Sequence, residues 1–434
     1  MRIDWKNGFK WTGLVLLIIG GFFGGLFLYW FARPNQSQIN PALDIQTWDF
    51  IADGEHNSNT DMIFWNGHYY LIHASSPYHL GTEDSKLIIW RSTNARDWTN
   101  ITLLDYADND IRDPKFAIIA GQLFLYALIN QGWIADPYLT IYTNSSDGLD
   151  WSQPFKPVNG TNFEIDGWLF WRPKSPDNIT WYVPVYWWEH GKSALLNSSD
   201  GVNWTYISQI NEGGGNDETA IEFYDNGTII CTARIEGVAD AFLGDPNAGT
   251  LLSTSNFPYT SWNSKLTRLT RLDGPYLFKI NDKIYAIARY QPERDALFTQ
   301  LGSIFSTKRT SIYMVTPEKL TYISDLPSAG DTSYPGMVIR GGQIYTCYYT
   351  SNVQHDYPWF LGMFEPSDIK MANISVISLE NAVTSPLIPV SELPWGGYLV
   401  IAADIGLGLL LIVFLVRKKR LKLLNPFWKK GKTP

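Results

Sequence analysis

Short apolar runs rich in β-branched and aromatic residues alternate with Gly, Asn and Asp along most of this chain, between two long apolar runs near its ends. Six of the short runs share one form: a strand-like segment, a turn signal and a second, aromatic segment. This pattern predicts a β-hairpin at each place. The six hairpins are expected at residues 62–71, 116–126, 171–186, 220–232, 276–288 and 336–349.

An octet of Ser, Asx and Gly leading to a Trp recurs in the same part of the chain. Its tryptophans, Trp98, Trp151 and Trp204, are 53 residues apart both times. Ser and Asx side chains bond nearby backbone amides and Gly accepts a positive φ, so each octet predicts a tight turn. A period of this size indicates stacked supersecondary units. The copies are residues 92–99, 145–152 and 198–205, with a weaker copy from 253 to 262.

Together the hairpins and the repeat predict an all-β fold, a six-bladed β-propeller with four strands in each blade. A five-bladed propeller is the alternative, if one of the six hairpins is an accessory element. The length of 434 residues would allow two or three domains, but one repeat along the chain favours a single domain.

The two long apolar runs have about membrane-spanning length. Basic residues precede the first run and directly follow the second. An excess of Lys and Arg marks the cytoplasmic side of a membrane span, so we expect both termini in the cytoplasm and the segment between the spans outside the cell. The expected organisation is a cytoplasmic N-terminus (1–11), a transmembrane helix (12–32), a linker (33–54), the propeller ectodomain (55–380), a linker (381–396), a transmembrane helix (397–416) and a basic cytoplasmic tail (417–434).

Charge and composition agree with an exported domain. Residues 34–396 hold 22 of the 34 basic and 40 of the 42 acidic residues, a formal charge of −18, and such a surface repels nucleic acid. All nine Asn-x-Ser/Thr sequons lie in this segment, as expected for a glycosylated ectodomain. Cys231 and Cys347 lie in strand-like runs of non-adjacent repeats, which predicts two buried thiols and no structural disulfide.

Candidate site residues follow from the predicted fold. The active sites of propellers lie at the mouth of the central channel, where the innermost strands begin, so polar residues just before each hairpin would ring that mouth. Clusters of converging ionisable groups mark functional sites. The six histidines show no metal-ligand spacing, so no metal or cofactor is predicted. The ring candidates are Asp61, Arg112-Asp113, Trp171-Arg172, Asp217-Glu218, Asp273 and Asp331 to Tyr334.

Three segments carry a resemblance to the sialidase family, covering about residues 55–365. Residues 218–234 resemble the Glu-to-Arg segment of sialidases, with its separation of 16 and its Asp-Asn-Gly turn. The octet resembles the family's Asp-box, although it is one residue shorter between Ser and Trp. Residues 326–336 are similar to a segment of bacterial sialidase-like propellers, in which Tyr334 falls at the position of the nucleophilic tyrosine.

The resemblance implies a membrane-anchored exo-glycoside hydrolase that acts on glycans. Tyr334 would attack the anomeric carbon and Glu218 would take its proton, because a tyrosine with a pKa near ~10 needs an adjacent base. Arg234 and Arg309 would match two of the three arginines that bind the substrate carboxylate in the family. The general acid is expected in the loop after the first hairpin, at Asp84 or Glu83.

Two alternatives stay open. Asp61 stands where the family has its first clamp arginine, and Arg112 could supply that charge instead. In the first alternative, Asp61, Asp113 and either Glu218 or Asp273 form a three-carboxylate site for neutral sugars. This site would resemble that of arabinanase-like glycosidases, whose Arg-Asp-Pro motif is similar to residues 112–114. In the second, the propeller is catalytically silent and binds glycans or partners as an adhesin or surface-layer component. In the hydrolase interpretation, Arg172 and Asp331 of the ring are further candidates for substrate binding.

Overall fold

The structure is a computed structural model that describes residues 5–131, 134–153, 155–237, 242–296, 299–389 and 395–423. It divides into two compact units: residues 35–392, and residues 1–34 together with 393–434. Within the described residues of the first unit, the strands form six sheets, one for each blade of a propeller. The predicted all-β, six-bladed architecture is confirmed.

The elements follow the chain blade by blade. In order they are α1 (Trp5–Ala32) and β1 (Ile45–Ile51); blade I with β2 (His56–Trp65), β3 (His68–Ser76), β4 (Lys86–Ser92) and β5 (Trp98–Leu104); blade II with β6 (Asp110–Ile119), β7 (Gln122–Gln131), β8 (Ile134–Ser145) and β9 (Lys156–Pro157); blade III with β10 (Asn159–Gly160), β11 (Trp168–Phe170), β12 (Trp181–Trp187), β13 (Lys192–Ser198) and β14 (Asn203–Glu212); blade IV with β15 (Asn216–Phe223), β16 (Ile229–Ile235), β17 (Gly249–Ser255) and β18 (Asn263–Thr267); blade V with β19 (Tyr276–Ile280), β20 (Lys283–Tyr290), β21 (Arg309–Val315) and β22 (Leu320–Leu326); blade VI with β23 (Thr332–Arg340), β24 (Gln343–Thr350), α2 (Trp359–Gly362) and β25 (Asp368–Ser375); and finally α3 (Val376–Thr384) and α4 (Trp395–Leu423).

Five of the six predicted hairpins form the first two strands of a blade. In blade III, β12 lies within the predicted hairpin 171–186, but its partner, the innermost strand β11, ends at Phe170 before that hairpin begins. The first strands of neighbouring blades contact one another around the ring: β2 contacts β6 and β23, and β19 contacts β15 and β23. Residues near the start of these strands therefore meet at the axis, as the sequence pattern required.

The ring is closed by a strand from the N-terminal side of the propeller. β1 pairs antiparallel with β25, with Ile45 opposite Ile374 and Thr47 opposite Ala372, and so becomes the outermost strand of blade VI. Residues 35–54, most of the segment expected to be a linker, therefore belong to the propeller unit, which begins before residue 55. Pairing the two ends of the domain in one sheet closes the ring without relying on blade packing alone.

Apolar layers lie between adjacent blades. One of them joins Trp65 and Tyr70 of blade I to Phe116 and Leu125 of blade II, and comparable clusters follow around the ring. Cys231 lies in the layer between blades III and IV, and Cys347 in the layer between blades VI and I. Both are free and buried, as predicted, and burial raises the pKa of each thiol.

The octets form one kind of turn. In the third copy, Ser198 Oγ accepts the Gly201 N–H at 2.9 Å, and Asp200 Oδ1 accepts two further backbone N–H groups at 2.8 Å. Gly201, with φ of 77°, packs against Tyr126 of blade II, whose hydroxyl donates to the Gly201 carbonyl at 2.7 Å. Gly148 in the second copy also packs against the ring of Tyr70 in blade I, without a hydrogen bond from the Tyr70 hydroxyl within the described residues. Each of these turns therefore docks one blade on the preceding one.

The weaker copy does not make this turn, because the Asn256 amide oxygen accepts the Thr228 hydroxyl instead of capping its own loop. A copy that the sequence analysis missed lies in blade III, between β11 and β12. There Ser175 Oγ accepts the Asn178 N–H, and Asp177 accepts the next two N–H groups. The separation of Ser175 and Asp177 from Trp181 equals that in the octets, so the sequence did contain the signal for this copy.

The second unit contains α1 and α4. Each includes a window long and apolar enough to cross a membrane, Val15–Ala32 and Gly396–Phe414. The two helices contact each other, and a Cβ added at Gly25 would lie 3.2 Å from Val400 Cγ1. The short helix α3, which was not predicted, packs Leu379 and Ala382 into the layer between blades V and VI.

Candidate active site

Tyr334 and Glu218 lie in contact at the axis of the propeller. The Tyr334 hydroxyl donates to Glu218 Oε1, and Glu218 Oε2 accepts the Gly274 N–H at 2.7 Å. Arg234 Nη1 lies 3.0 Å from Glu218 Oε1. Three residues that the sequence singled out, from blades IV and VI, are thus brought together.

Local irregularities in the first strands aim these side chains. β23 has a register shift between Ser333 and Gly336, and Tyr334 has a φ of 46°. β15 has a similar shift between Asp217 and Thr219, where Glu218 projects. A bulge redirects a side chain at a conformational cost, and such sites concentrate at functional centres. The close approach of the Tyr334 ring also requires a glycine at 274, where a Cβ would lie 2.6 Å from the ring.

The pair resists ionisation. Burial raises the pKa of Glu218 to about 7, against the opposing effect of Arg234. Burial and the neighbouring Glu218 carboxylate raise the pKa of Tyr334 well above its usual value. At neutral pH the phenol therefore keeps its proton, while a substantial fraction of Glu218 is ionised and able to accept one.

Arg234 is fixed by carboxylates on several sides. Its Nε donates to Asp217 Oδ1 at 2.6 Å, its Nη2 also contacts Asp217, and the same Nη2 lies 3.4 Å from Glu236 Oε1. His190 Nδ1 lies 2.8 Å from Glu236 Oε2. Although burial alone lowers it, the carboxylates of Glu236 and Asp217 raise the pKa of His190.

Two further arginines reach the same place from blade V. Arg271 Nε donates to Asp273 Oδ1 at 2.9 Å, and Arg289 Nη1 lies 3.6 Å from Asp273 Oδ2. Sequence reasoning missed both because it examined only the residues directly before each hairpin. Arg289 did carry a signal: it stands inside the apolar run Ile284–Tyr290, where a charged side chain needs a partner or a function.

The cleft around Tyr334 and Glu218 has two lobes, which share His79, Glu218, Arg234 and Tyr334. We call the larger one, of about 350 Å³, the aromatic lobe; its other lining residues are Asn59, Arg112, Asp113, Leu128, Leu169, Tyr186, Trp188 and His190. We call the smaller one, of about 260 Å³, the arginine lobe; its other lining residues are Glu236, Arg271, Arg289, Leu301, Gly302 and Trp359.

The first strands of five blades contribute to this lining, with Asn59 from β2, Asp113 from β6, Leu169 from β11, Glu218 from β15 and Tyr334 from β23. The cleft therefore lies on the axis. A volume of a few hundred Å³ with converging polar groups is typical of small-molecule sites, and here the lining is mostly polar and charged.

Several predicted residues lie elsewhere. Arg309 is buried beside Asp356, with Nη1 2.7 Å from Oδ1, and does not line either lobe. Asp84 and Glu83 are exposed and also lie outside the lining, which argues against the predicted role as general acid. Arg112 and Asp113 do line the aromatic lobe.

Asp61 is buried beneath the cleft rather than in its lining. Its Oδ1 accepts the Met62 N–H and Arg172 Nη2, both at 2.8 Å, and its Oδ2 accepts the Phe116 N–H at 2.7 Å. Both oxygens are thus occupied by the protein, and Arg172 is held by the same contact. The three-carboxylate alternative built on Asp61 does not assemble in this structure.

Asp331 is fully buried beside the cleft and is contacted by two histidines. Its Oδ2 lies 2.6 Å from His79 Nδ1 and 3.2 Å from His56 Nε2. Ligands of a tetrahedral zinc ion at about 2.1 Å stay about 3.4 Å apart. His79 Nδ1 and Asp331 Oδ2 are closer than that, so they contact each other directly as an ion pair and are too close to be two ligands of one zinc ion.

The second group of potential ligands, His190, Asp217 and Glu236, is close enough for a cation. The Arg234 guanidinium already contacts both of its carboxylates. Its positive charge occupies the place that a metal ion would take.

Comparison with solved structures identifies the architecture, whereas neither a protein-family model nor a curated protein sequence matches the chain. The phage phi92 endosialidase superposes over 77% of this chain and 69% of its own, with a TM-score of 0.56 and 9% identity. The fold is that of the sialidase propellers.

Two cellular enzymes give the same result. Trypanosoma rangeli sialidase in complex with sialic acid superposes over 81% of this chain with a TM-score of 0.51 and 12% identity. The K499G mutant of NanB sialidase from Streptococcus pneumoniae does so over 79% of this chain and 71% of its own, with a TM-score of 0.55 and 10% identity. This chain spans 60% of the trypanosomal sialidase. The sialidase-like fold implied by the sequence resemblance is confirmed, and the chemistry must be argued from the site.

Proposed function

We propose that this protein is a membrane-anchored, extracellular exo-glycoside hydrolase of sialidase-like mechanism. The observation that carries the proposal is the contact between the Tyr334 hydroxyl and Glu218 Oε1 inside the axial cleft. A phenol becomes an effective nucleophile only when a base takes its proton as it attacks. Glu218, with a pKa raised to about 7 by burial, is suited to that task near neutral pH.

The reaction would proceed in two steps with retention of configuration. In the first, the Tyr334 oxygen bonds to the anomeric carbon, its proton passes to Glu218, and the bond to the leaving-group oxygen breaks. In the second, water attacks the same carbon, and the Tyr334 oxygen leaves and regains its proton from Glu218. A neutral phenol, unlike a carboxylate, does not repel an anionic sugar, which is the physical advantage of this nucleophile.

The preferred substrate in this proposal is an acidic sugar. Arg234, Arg271 and Arg289 line the arginine lobe beside the nucleophile. Guanidinium groups bind carboxylates through parallel hydrogen bonds, so these three would form the clamp. Arg271 and Arg289 take the place that the sequence analysis gave to Arg309.

A glycosidase for neutral sugars is the second candidate, and one observation favours it. Each arginine of the lobe already has a carboxylate neighbour: Asp217 for Arg234, and Asp273 for both Arg271 and Arg289. A substrate carboxylate would have to compete with these acids. Its catalytic residues would be Tyr334, Glu218 and Asp113 rather than a set that includes Asp61.

The anchoring is part of the proposal. The two apolar windows, Val15–Ala32 and Gly396–Phe414, are the candidate spans. With the basic flanks on the cytoplasmic side, both termini would lie in the cytoplasm and the propeller outside the cell membrane, where its substrates would be surface or environmental glycans. The nine sequons of the ectodomain would then be available for glycosylation.

A panel of 4-methylumbelliferyl glycosides tests the function. We expect turnover of the N-acetylneuraminide and its abolition in Glu218→Gln; turnover of a neutral glycoside alone would select the second candidate. Binding on a glycan array without turnover of any glycoside would instead identify a silent binding module and refute hydrolysis.

A further inference from the structure

The loop between β3 and β4, residues 77–85, brings one ionisable side chain into the cleft. His79 lines both the aromatic and the arginine lobe, next to Glu218 and Tyr334. The backbone N–H of His79 donates to the Met363 carbonyl at 2.9 Å, and this bond fixes the loop to the residue that follows α2. This is the same loop in which the general acid was expected, but the exposed Asp84 and Glu83 lie outside the lining.

Asp331 determines the state of the His79 ring. A nitrogen lone pair would not approach a carboxylate oxygen to 2.6 Å, so Nδ1 carries a proton and forms an ion contact with Asp331 Oδ2. Trp359 packs edge-on against the ring, with centroids 5.6 Å apart. With Nδ1 engaged, Nε2 is the ring nitrogen left for proton exchange with a ligand in the cleft.

Asp331 is itself fixed. Its Oδ1 accepts from Trp359 Nε1 at 2.7 Å, from the Tyr349 hydroxyl at 2.9 Å and from Arg289 Nη2 at 3.1 Å. Although burial alone raises it, the neighbouring His79, His56 and Arg289 hold the pKa of Asp331 well below its usual range. The carboxylate therefore stays ionised and orients the imidazole, an arrangement that other hydrolases use to fix an acid–base histidine.

We infer that His79 is the general acid–base residue of the proposed glycoside hydrolysis and that Asp331 is its positioning residue; this inference rests on the proposed function. Burial lowers the pKa of His79, against the opposing effect of Asp331, so the reactive form is the fraction of the protein in which this ring is protonated and Glu218 is ionised. In the first step, the imidazolium gives its Nε2 proton to the departing glycosidic oxygen as the Tyr334 oxygen attacks and Glu218 takes the phenol proton. In the second, Nε2 takes a proton from the attacking water, and Tyr334 leaves and recovers its proton from Glu218. No proton is gained or lost over the cycle apart from those of the water consumed.

Asp113 is the rival on the same cleft. It lines the aromatic lobe, accepts from Asn59 Nδ2 at 2.7 Å and has a φ of 52°. A carboxylic acid in this position could also protonate a leaving group. The test must therefore separate the two residues by the chemistry they perform.

Leaving-group dependence makes that separation. Two glycosides of the sugar that the wild-type protein turns over differ in their leaving groups. The 4-methylumbelliferyl group is acidic and leaves with little protonation of its oxygen, whereas methanol leaves only when its oxygen is protonated by the general acid. We expect His79→Gln to lower kcat/KM for the methyl glycoside at least ~100-fold and for the aryl glycoside by less than ~10-fold. Asp331→Asn should show the same asymmetry, because the ring loses the acceptor that fixes its proton, while Asp113→Asn should not.

His79 is partly exposed, and circular dichroism should show that His79→Gln folds even if Asp331→Asn does not. Equal losses for both glycosides in His79→Gln, or the asymmetry in Asp113→Asn instead, would overturn the inference while leaving the proposed function intact. A zinc ion bound at unit stoichiometry and lost in His79→Gln would also overturn it. A wild-type protein without turnover overturns both.

Discussion

The Tyr334 hydroxyl donates to the carboxylate of Glu218, although the two residues are 116 positions apart along the chain. Glu218 lies on the first strand of blade IV and Tyr334 on the first strand of blade VI, each at a register shift. Blade VI is completed by β1. The pair therefore depends on ring closure, and the first prediction concerns the pair itself.

Tyr334→Phe should remove the nucleophile with little effect on the fold. Glu218 keeps its contacts with Arg234 and the Gly274 N–H, so the carboxylate is not left without partners. We expect turnover of the cognate 4-methylumbelliferyl glycoside to fall on the order of 10³-fold or more. Tyr276→Phe is the matched control, because its hydroxyl makes only a long contact of 3.4 Å to the Met337 carbonyl. Comparable losses in both variants would remove the case for a tyrosine nucleophile.

The raised pKa of Glu218 predicts a stability effect with a defined sign. Its pKa is 4.5 in the unfolded chain and about 7 in the protein, mainly because of burial. The folded state therefore holds the proton more tightly, and this stabilisation is present below pH 4.5 and lost as pH rises through about 7. The full effect is on the order of 3 kcal/mol.

Glu218→Gln cannot lose a proton and should not show this loss. We expect the melting temperature of the wild type, relative to that of Glu218→Gln, to decline between pH 5 and pH 8. Differential scanning fluorimetry across that range measures the difference. A constant offset between the two proteins would mean that Glu218 titrates normally.

The sequence predicted most of the fold because the fold is local in origin. Each hairpin is encoded by one continuous stretch of apolar residues and a turn, and the spacing between the octets indicates the number of residues in a blade. The predicted Tyr334 and Glu218 met at the axis because they stand at the equivalent place in different repeats, and Arg234 joins them from the strand that pairs with that of Glu218. What the pattern could not show was the pairing of β1 with β25, since residues so distant in sequence share no local signal.

The errors in the site have the same physical origin. Arg309 and Arg289 both stand on strands of blade V, but Arg309 pairs with the buried Asp356 and lies outside the lining of the cleft. The sequence analysis selected neither Arg289 nor His79 as a candidate. Both contact Asp331, which lies far from them in the sequence.

The two kinds of arginine should therefore behave differently on mutation. Arg309→Met removes the positive charge that pairs with the buried Asp356 carboxylate. We expect it to lower the free energy of unfolding by about 3–5 kcal/mol. The kinetic constants of the folded fraction should not change. Arg271→Met leaves Asp273 with Arg234 and Arg289, both at 3.6 Å, so its stability loss should be smaller.

For an acidic sugar, Arg271→Met should raise KM about tenfold or more, which corresponds to the loss of one charge-assisted contact. Urea unfolding and steady-state kinetics on both variants make the comparison. An increase in KM in Arg309→Met, without one in Arg271→Met, would support the expectation from the sequence resemblance that Arg309 binds the substrate carboxylate.

Replacing glycine by alanine in an octet turn should destabilise the protein, and a comparison of two glycines separates the effect of packing from that of backbone strain. Gly148 and Gly227 have φ values of 73° and 82°, so alanine at either position costs about 1–2 kcal/mol for the left-handed backbone. A Cβ at Gly148 would also lie 2.1 Å from the Tyr70 hydroxyl, whereas one at Gly227 meets nothing within 4 Å. We expect Gly148→Ala to be the more destabilising by about 1–3 kcal/mol in urea unfolding. Equal costs would mean that the turn does not dock on blade I.

The last prediction concerns β1, the strand that closes the ring, and compares two fragments of the propeller unit. Residues 35–389 contain β1, while residues 53–389 lack it and expose the edge of β25. The shorter fragment also loses Phe50, whose ring lies 5.2 Å from that of Trp90 in blade I, and the hydrogen bond from the Asn40 side chain to the Ile323 carbonyl. We expect it to melt roughly 10 °C lower or more, and to aggregate through its unpaired edge. Because β23 sits in the same sheet, the shorter fragment should also lose turnover of the glycoside that residues 35–389 hydrolyse. Equal melting temperatures would show that the ring holds together by blade packing and that β1 merely covers its last sheet.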